Sequence, residues 1–221
     1  MIKTISCLMV LFTATLLRAQ AFDTASTTKV YSDTVITTKI YQSYFSNSLH
    51  EPIMVTYGLY KGGGECSRSG FHFKNDADVR AAGPKDYAGS GYDEGHMANA
   101  EDFAFNCEDD ELTFRYYNCV PQTPNLNRGI YKHWETVIRA ESQKDSLWII
   151  CGNIFDGKQI GPDHIAVPSE CFKIVESMTT HKVNHILLFE NKSVGSVDTT
   201  LGMAALWRKT GYTIPLSNKP K

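Results

Sequence analysis

The amino-acid sequence predicts an α+β protein in which helices flank a mainly antiparallel sheet. Two observations carry this prediction. Segments with strand periodicity precede and follow one long amphipathic helix, and no regular alternation of strand and helix is present. A parallel sheet would require that alternation, because parallel strands are joined by long crossover connections.

Several segments have the alternating pattern or the short apolar run that is typical of β-strands. The early segments, residues 35–44 and 53–60, are rich in β-branched and aromatic side chains. The later strands are expected at residues 146–154, 171–175 and 185–189. We expect residues 116–120 to form a strand that leads into Pro121, whereas residues 111–117 fit either a short helix or a strand.

The clearest helix covers residues 126 to about 142, with Asn125 as a suitable N-cap. Its apolar residues recur on one face: Ile130, Trp134, Val137 and Ile138. A later helix is predicted at residues 200–208. Residues 67–92 are polar and rich in glycine, which indicates a loop that crosses the surface toward the central motifs.

The first 21 residues have the pattern of a secretory signal peptide. Lys3 precedes an apolar run at residues 5–17, and Arg18 precedes the small-residue sequence that ends at Ala21. The run is too short for a membrane span, and no later segment approaches that length. We therefore expect a secreted or periplasmic protein whose single domain covers residues 22–221.

The charge balance argues against tight stoichiometric binding of DNA. The chain has 22 basic and 24 acidic side chains, and the basic residues form no continuous stripe along the sequence. A nucleic-acid substrate would therefore be contacted locally, with an affinity that depends strongly on salt concentration.

Five cysteines remain after the predicted signal peptide: Cys66, Cys107, Cys119, Cys151 and Cys171. No pair has the spacing of a zinc finger. In an oxidising compartment an odd number allows at most two disulfides and one free thiol. We predict a Cys151–Cys171 bridge, because both residues lie in consecutive predicted strands, and also a Cys107–Cys119 bridge. The alternative, that all five are buried thiols, stays open.

Three sequence motifs lie close together in the middle of the chain. They are YAGSGYDEGHM at residues 87–97, NCVPQ at residues 118–122 and LNRGIYKHWE at residues 126–135. These motifs resemble those of the endonuclease G-like DNA/RNA non-specific endonucleases, which belong to the ββα-metal (His-Me finger) class. The resemblance covers nearly the whole predicted mature chain. It implies a ββα-metal active-site motif and the hydrolysis of DNA and RNA to products that carry 5′-phosphates.

The resemblance implies that His96 is the general base and that Asn127 binds a catalytic Mg²⁺ directly. An imidazole whose other nitrogen donates to a backbone carbonyl can accept a proton from water near neutral pH. A carboxamide oxygen suits a hard cation, with Mn²⁺ or another divalent ion as alternatives to Mg²⁺. Glu135 follows Asn127 by eight residues, which places both on adjoining faces of the predicted helix. The resemblance assigns Glu135 to catalysis and to the water shell of the metal.

The same resemblance assigns supporting residues. Arg68 is the best match for the phosphate-binding arginine of the family, with Arg80 and Arg128 as alternatives, and its guanidinium would stabilise charge that develops at phosphorus. Asn118 and Gln122 match positions that support the site by hydrogen bonding, and we assign them to substrate binding.

Glu94 departs from the family pattern. The usual signature reads Asp-Arg-Gly-His, whereas this chain has Asp93-Glu94-Gly95-His96. A carboxylate facing the scissile phosphate would repel it. We expect Glu94 to support the substrate site, either by holding a metal-bound water or by pairing with Arg68. The alternative function is a weakly active or inactive family member that binds nucleic acid or a protein partner. Either form is expected to be a monomer or a homodimer.

Overall fold

The structure, a computed structural model, describes residues 32–217 and is organised around one large antiparallel sheet. The strands are β1 (Thr34–Thr37), β2 (Gln42–Ser46), β3 (Glu51–Leu59), β4 (Asp93–His96), β5 (Cys119–Gln122), β6 (Leu147–Ile160), β7 (Ile165–Ser177), β8 (Val183–Glu190) and β9 (Val197–Asp198). Seven of them follow the order β1-β2-β3-β6-β7-β8-β9 in the sheet, and β4 and β5 form a separate antiparallel pair. The predicted α+β class with a mainly antiparallel sheet is confirmed.

The helices lie on both sides of this sheet. They are α1 (Pro84–Tyr87), α2 (Cys107–Leu112), α3 (Lys132–Ser142) and α4 (Met203–Thr210). Short 3₁₀ helices cover Ala100–Phe103 and Tyr116–Asn118, and a π-helical segment covers Leu126–Tyr131. The uncertain segment 111–117 is thus mainly helical, and the strand expected at 116–120 begins only at Cys119.

Both faces of the central strands are buried, and this explains why β6 reads as an apolar run. Leu147, Ile149 and Cys151 pack into the core beneath the β4–β5 pair and α3. Trp148 and Ile150 point to the opposite face, where α4 and the C-terminal segment form the second core. Successive side chains of a strand alternate between faces, so a strand covered on both sides needs apolar residues at nearly every position.

The prediction of one strand at residues 35–44 is wrong, because this segment forms a hairpin of two strands, β1 and β2. The Thr38 hydroxyl accepts hydrogen bonds from the backbone N–H groups of Ile40 and Tyr41, at 3.3 Å and 3.0 Å. The chain therefore turns between β1 and β2. Local side-chain to backbone hydrogen bonds of this kind compete with extended structure, and strand periodicity alone does not reveal them.

The predicted helix 126–142 is also interrupted. Gly129, inside the π-helical segment, has the non-helical angles φ −108° and ψ −110°, which kink the chain between Asn127 and α3. The predicted N-cap is wrong, since Asn125 caps no backbone N–H and instead donates its side-chain amide to the carbonyl of Ser193. The Asn127-to-Glu135 spacing therefore crosses a break rather than two regular turns.

Both predicted disulfides are wrong, because the structure joins Cys66 to Cys107 with a Cα–Cα distance of 5.3 Å. Cys119, Cys151 and Cys171 are buried thiols. Cys151 and Cys171 do lie on neighbouring strands, but Cys151 is opposite Lys173. Diagonal positions on adjacent strands are about 7–8 Å apart, and a disulfide rarely spans more than about 7 Å between Cα atoms.

Within residues 32–217, no helix has both the length and the apolar composition needed to cross a membrane. The predicted signal peptide, residues 1–21, lies outside the described residues and stays a prediction.

The disulfide gives a testable prediction about the thiols of a chain that begins at residue 22. Cys119, Cys151 and Cys171 should react with iodoacetamide only after denaturation, and Cys66 should be recovered linked to Cys107 in peptide mass mapping. Because the bridge closes a loop over a separation of 41 residues, replacing both bridged cysteines by alanine should lower the free energy of unfolding by up to about 4 kcal/mol. Recovery of a Cys151–Cys171 peptide would contradict the structure.

Candidate active site

The β4–β5 pair positions His96, and the buried side chain of Asn118 anchors it. His96 lies opposite Cys119 at the end of this short ladder. The Asn118 side chain accepts a hydrogen bond from the backbone N–H of Ala98 at 2.8 Å. It donates to the carbonyls of Ala98 and Thr113 at 3.0 Å and 2.9 Å. With all these groups buried, water offers no substitute, so the chain just after His96 is held firmly.

Gln122 supports the same ladder from the interior. Its side chain lies so close to Gly95 that a Cβ added there would be 2.4 Å from the Gln122 side chain. Gly95 is therefore required by this close approach. Asn118 and Gln122 have no exposed surface. In this conformation they support the site from the interior, and the substrate-binding role predicted for them stays a prediction.

His96 lies between two aromatic rings, with ring centroids 4.7 Å from Phe73 and 4.6 Å from Phe114. Its Nε2 atom is buried and has no hydrogen-bond partner among the described residues. Burial, and then the positive charges of Arg68 and Lys173, lower the pKa of His96 to about 3. The imidazole is therefore neutral at pH 7 and able to accept a proton. Among the described residues no hydrogen bond joins the His96 ring to a backbone carbonyl, so the carbonyl expected to orient the imidazole is not found.

Asn127 is held by Asp93, which lies at the start of β4. The Asn127 amide nitrogen donates to Asp93 Oδ2 at 3.0 Å, and Arg128 Nε donates to the same oxygen at 2.7 Å. Burial alone would raise the pKa of Asp93, but the hydrogen bonds from Arg128 and Asn127 outweigh it and lower the pKa. Because its nitrogen faces Asp93, the amide of Asn127 keeps its oxygen for another partner.

Glu135 lies in the first turn of α3, where Lys173 on β7 holds it from below. Lys173 Nζ is 3.5 Å from Glu135 Oε1, and the lysine side chain is 1% exposed. The same ammonium lies 4.4 Å from the centre of the Tyr131 ring and 3.2 Å from Cys151 Sγ. A buried carboxylate requires such a partner, because an uncompensated charge in the interior is very costly.

These groups converge on one cleft of about 360 Å³, which we call the basic cleft. Several side chains that can act on a phosphate or a metal line it, among them Arg68, His96, Asn127, Lys132, Glu135 and Arg139. The structure thus brings together the predicted base, the predicted metal ligands and the preferred arginine, although they come from four separate parts of the chain. Arg128 also lines this cleft, whereas Arg80 is exposed and lies elsewhere.

Glu94 faces a neighbouring open depression of about 540 Å³, which it lines with Tyr92 and Asp93. Its Oε1 accepts a hydrogen bond from Tyr116 at 2.8 Å. The expected pair with Arg68 is not formed, because Arg68 pairs with Glu101 and Asp110. Glu94 does not line the basic cleft, but its depression shares Asn127 and Arg128 with that cleft, so the carboxylate that replaces the family arginine lies next to it.

Sequence analysis missed three charged residues at the site: Lys132, Arg139 and Lys173. Arg139 Nε donates to the buried carboxylate of Asp102 at 2.9 Å, and its other end donates to Asn99. Arg139 follows Glu135 by four residues on the same helix face, and this spacing could have identified Arg139 from the sequence. No sequence pattern could have identified Lys173, because a lysine in an apolar strand gives no indication of what lies opposite it.

The donors in the basic cleft fit a hard divalent cation. The described residues contain no group of three or more His, Cys, Asp or Glu side chains placed to hold a metal, which argues against a closed zinc-type site in that part of the chain. One carboxamide oxygen with a nearby carboxylate instead suits an ion such as Mg²⁺, which keeps several waters. Asn127 would be the direct ligand, and Glu135 would hold the surrounding water.

A neutral histidine, a carboxamide and a glutamate in one arginine-lined cleft define a candidate hydrolase of phosphate esters. The sequence model for the DNA/RNA non-specific endonuclease family matches residues 20–215, and the chain belongs to that family. The family is metal-dependent and uses a divalent cation.

Curated relatives are similar over part of the chain. Mitochondrial endonuclease G of Bos taurus is 32% identical over 128 residues, which cover 51% of this chain and 43% of the relative. A nuclease of Nostoc sp. (strain PCC 7120) is 39% identical over 94 residues, which cover 42% of this chain and 34% of the relative. The chain thus spans less than half the length of these relatives.

A solved structure of an EndoG/EndoGI complex has the same fold. The TM-score is 0.70, and the match covers 81% of this chain and 84% of the other at 23% sequence identity. At this identity the likeness supports the fold.

Proposed function

We propose that this protein is a divalent-cation-dependent, sugar-nonspecific endonuclease that hydrolyses phosphodiester bonds of both DNA and RNA. One observation carries the proposal: His96, Asn127 and Glu135 line the same cleft as Arg68 and Arg139. This is the combination of base, metal ligands and phosphate-binding cations that the reaction requires. Family membership supports the substrate class.

The cations of the cleft would bind the phosphate. Arg68 and Arg139 present planar guanidinium groups, which match two phosphate oxygens at once, and Lys132 adds a third positive charge. Arg139 is fixed on Asp102, whose pKa burial raises to about 6 against the lowering effect of Arg139 and Tyr57. A cation held in advance needs no rearrangement when charge develops at phosphorus.

His96 would act as the general base. Its imidazole accepts a proton from a water molecule, whose oxygen attacks phosphorus as the bond to the 3′-oxygen breaks, so the product carries a 5′-phosphate. A bound phosphate would raise the low pKa of His96, because a nearby negative charge favours the imidazolium form. The cation supplies positive charge that stabilises the transition state and the leaving oxygen. We propose Mg²⁺ as this ion.

We also propose that the protein acts outside the cytoplasm, secreted or in the periplasm. The signal-peptide pattern at residues 1–21 supports this, as does the Cys66–Cys107 disulfide, since stable disulfides are typical of oxidising compartments. N-terminal sequencing of the exported protein should find residue 22 first.

The proposed base is tested by replacing it. His96→Ala should reduce plasmid cleavage in Mg²⁺ by about 10²- to 10⁴-fold, because the proton acceptor is lost. His133→Ala is the matched control, since His133 is exposed on α3 and does not line the basic cleft. Chelation by EDTA should stop cleavage by the wild-type protein. Near-normal turnover by His96→Ala would remove His96 from the mechanism, and no cleavage by wild-type protein would leave a binding role.

Substitutions of Asn127 and Glu135, the two proposed metal ligands, should have different effects on Mg²⁺ binding and on stability. Asn127→Ala should abolish Mg²⁺ binding in titration calorimetry with little loss of stability, whereas Asn125→Ala, a nearby exposed change, should leave binding intact. Glu135→Gln should weaken binding by roughly 10- to 100-fold. It should also lower the free energy of unfolding by about 3 kcal/mol, because the Lys173 ammonium loses its partner. Unchanged Mg²⁺ binding in both Asn127→Ala and Glu135→Gln would show that the metal lies elsewhere.

Substitutions at Glu94 test whether its carboxylate supports the site. Glu94→Ala and Tyr116→Phe should each slow cleavage by about 3- to 10-fold, and the double variant should be no slower than either, because both remove the same hydrogen bond. Glu94→Arg should also slow cleavage, while Glu108→Arg, the same charge change on an exposed helix position, should not. Faster cleavage by Glu94→Arg would instead show that Glu94 repels the substrate.

A further inference from the structure

The guanidinium of Arg68 is held by two carboxylates that lie in different surroundings. Its Nε donates to Asp110 Oδ2 at 3.2 Å, and one terminal nitrogen donates to Glu101. The Asp110 side chain is fully buried and does not line the basic cleft, whereas the Glu101 side chain is 39% exposed and does. Asp110 therefore contacts Arg68 from the protein interior, and Glu101 contacts it from the cleft.

The helix that carries Asp110 is tied to the segment that carries Arg68. Cys107, the first residue of α2, is bonded to Cys66, two residues before the arginine. The backbone N–H of Cys66 also donates to the carbonyl of Ala104 at 3.0 Å. At the other end of α2, the Thr113 hydroxyl donates to the carbonyl of Asp110 at 2.7 Å. These contacts fix the backbone of Asp110 relative to that of Arg68.

We propose that Asp110 is a positioning residue for Arg68, holding its guanidinium at the edge of the basic cleft before a substrate binds. The inference rests on the proposed function, in which Arg68 contacts phosphate. A long flexible side chain that is ordered in advance loses less entropy when it binds. Asp110 uses the Nε–H group, which leaves the two terminal nitrogens for phosphate oxygens once Glu101 is displaced.

A simple charge effect would have the opposite sign. If Asp110 acted only through its negative charge, its removal would strengthen the binding of a polyanion. The positioning role instead requires that removal of this charge weakens binding. Asp109 is the matched control, because it is the neighbouring residue on α2, carries the same charge and pairs with Lys39 at 2.8 Å, away from the basic cleft.

The test measures binding of a fluorescent 12-nucleotide single-stranded DNA by anisotropy in EDTA, where cleavage is stopped. Asp110→Asn should weaken binding about tenfold and should make the slope of log K against log salt shallower by about 0.7, the value for one lost phosphate contact to a single strand. Asp109→Asn should leave the slope unchanged and the affinity equal or slightly higher. In an Arg68→Ala background Asp110→Asn should have no further effect, whereas a general structural defect would persist there.

A second measurement detects the hydrogen bond of the Arg68 Nε–H group in the protein without a substrate. The Arg68 Nε–H signal in ¹⁵N NMR spectra should be protected from exchange with water in wild-type protein and in Asp109→Asn, and lost in Asp110→Asn. If the wild-type protein binds the oligonucleotide but Asp110→Asn and Asp109→Asn bind it with equal affinity, this inference is overturned and the proposed function is left intact. A wild-type protein that neither binds nor cleaves the oligonucleotide would overturn both.

Discussion

The hydrogen bonds of the buried Asn118 carboxamide are the constraint on which the rest of the site depends. They join the segment after β4 to the turn that follows α2, through Ala98 and Thr113. β4 carries His96, and α2 carries the carboxylate that contacts Arg68. One fully buried side chain therefore sets the base relative to the arginine, and its removal would leave several interior backbone groups without partners.

Most charged or metal-binding groups of the basic cleft have a partner on the protein side. Glu135 is backed by Lys173, Arg139 by Asp102 and Arg68 by Asp110. The neutral side chain of Asn127, the proposed metal ligand, is oriented in the same way, by Asp93. Such pairs hold the functional groups in place before a substrate arrives, which is how an active site stabilises developing charge without rearrangement.

Gly95 and Gly129 shape the backbone around Asn127, the proposed metal ligand, and His96, the proposed base. The first allows Gln122 to pack directly on β4, and the second breaks the helix between Asn127 and Glu135. This break separates the turn that presents the carboxamide from the helix that presents the carboxylate. Both residues can thus face one cleft, although a continuous helix would have placed them on adjoining faces.

Local periodicity was enough to predict the α+β class and the main strands, and the resemblance of short motifs to a known family implied the candidate groups His96, Asn127, Glu135 and Arg68. These predictions depend on local periodicity and on short motifs, which are properties of neighbouring residues in the chain. The disulfide, the hairpin turn at Thr38 and the partners Lys173 and Asp110 were decided only by the tertiary structure. They depend on strand register and on contacts between residues far apart in the chain. A shift of two positions between β6 and β7 places Lys173, not Cys171, opposite Cys151, and no local pattern records that register.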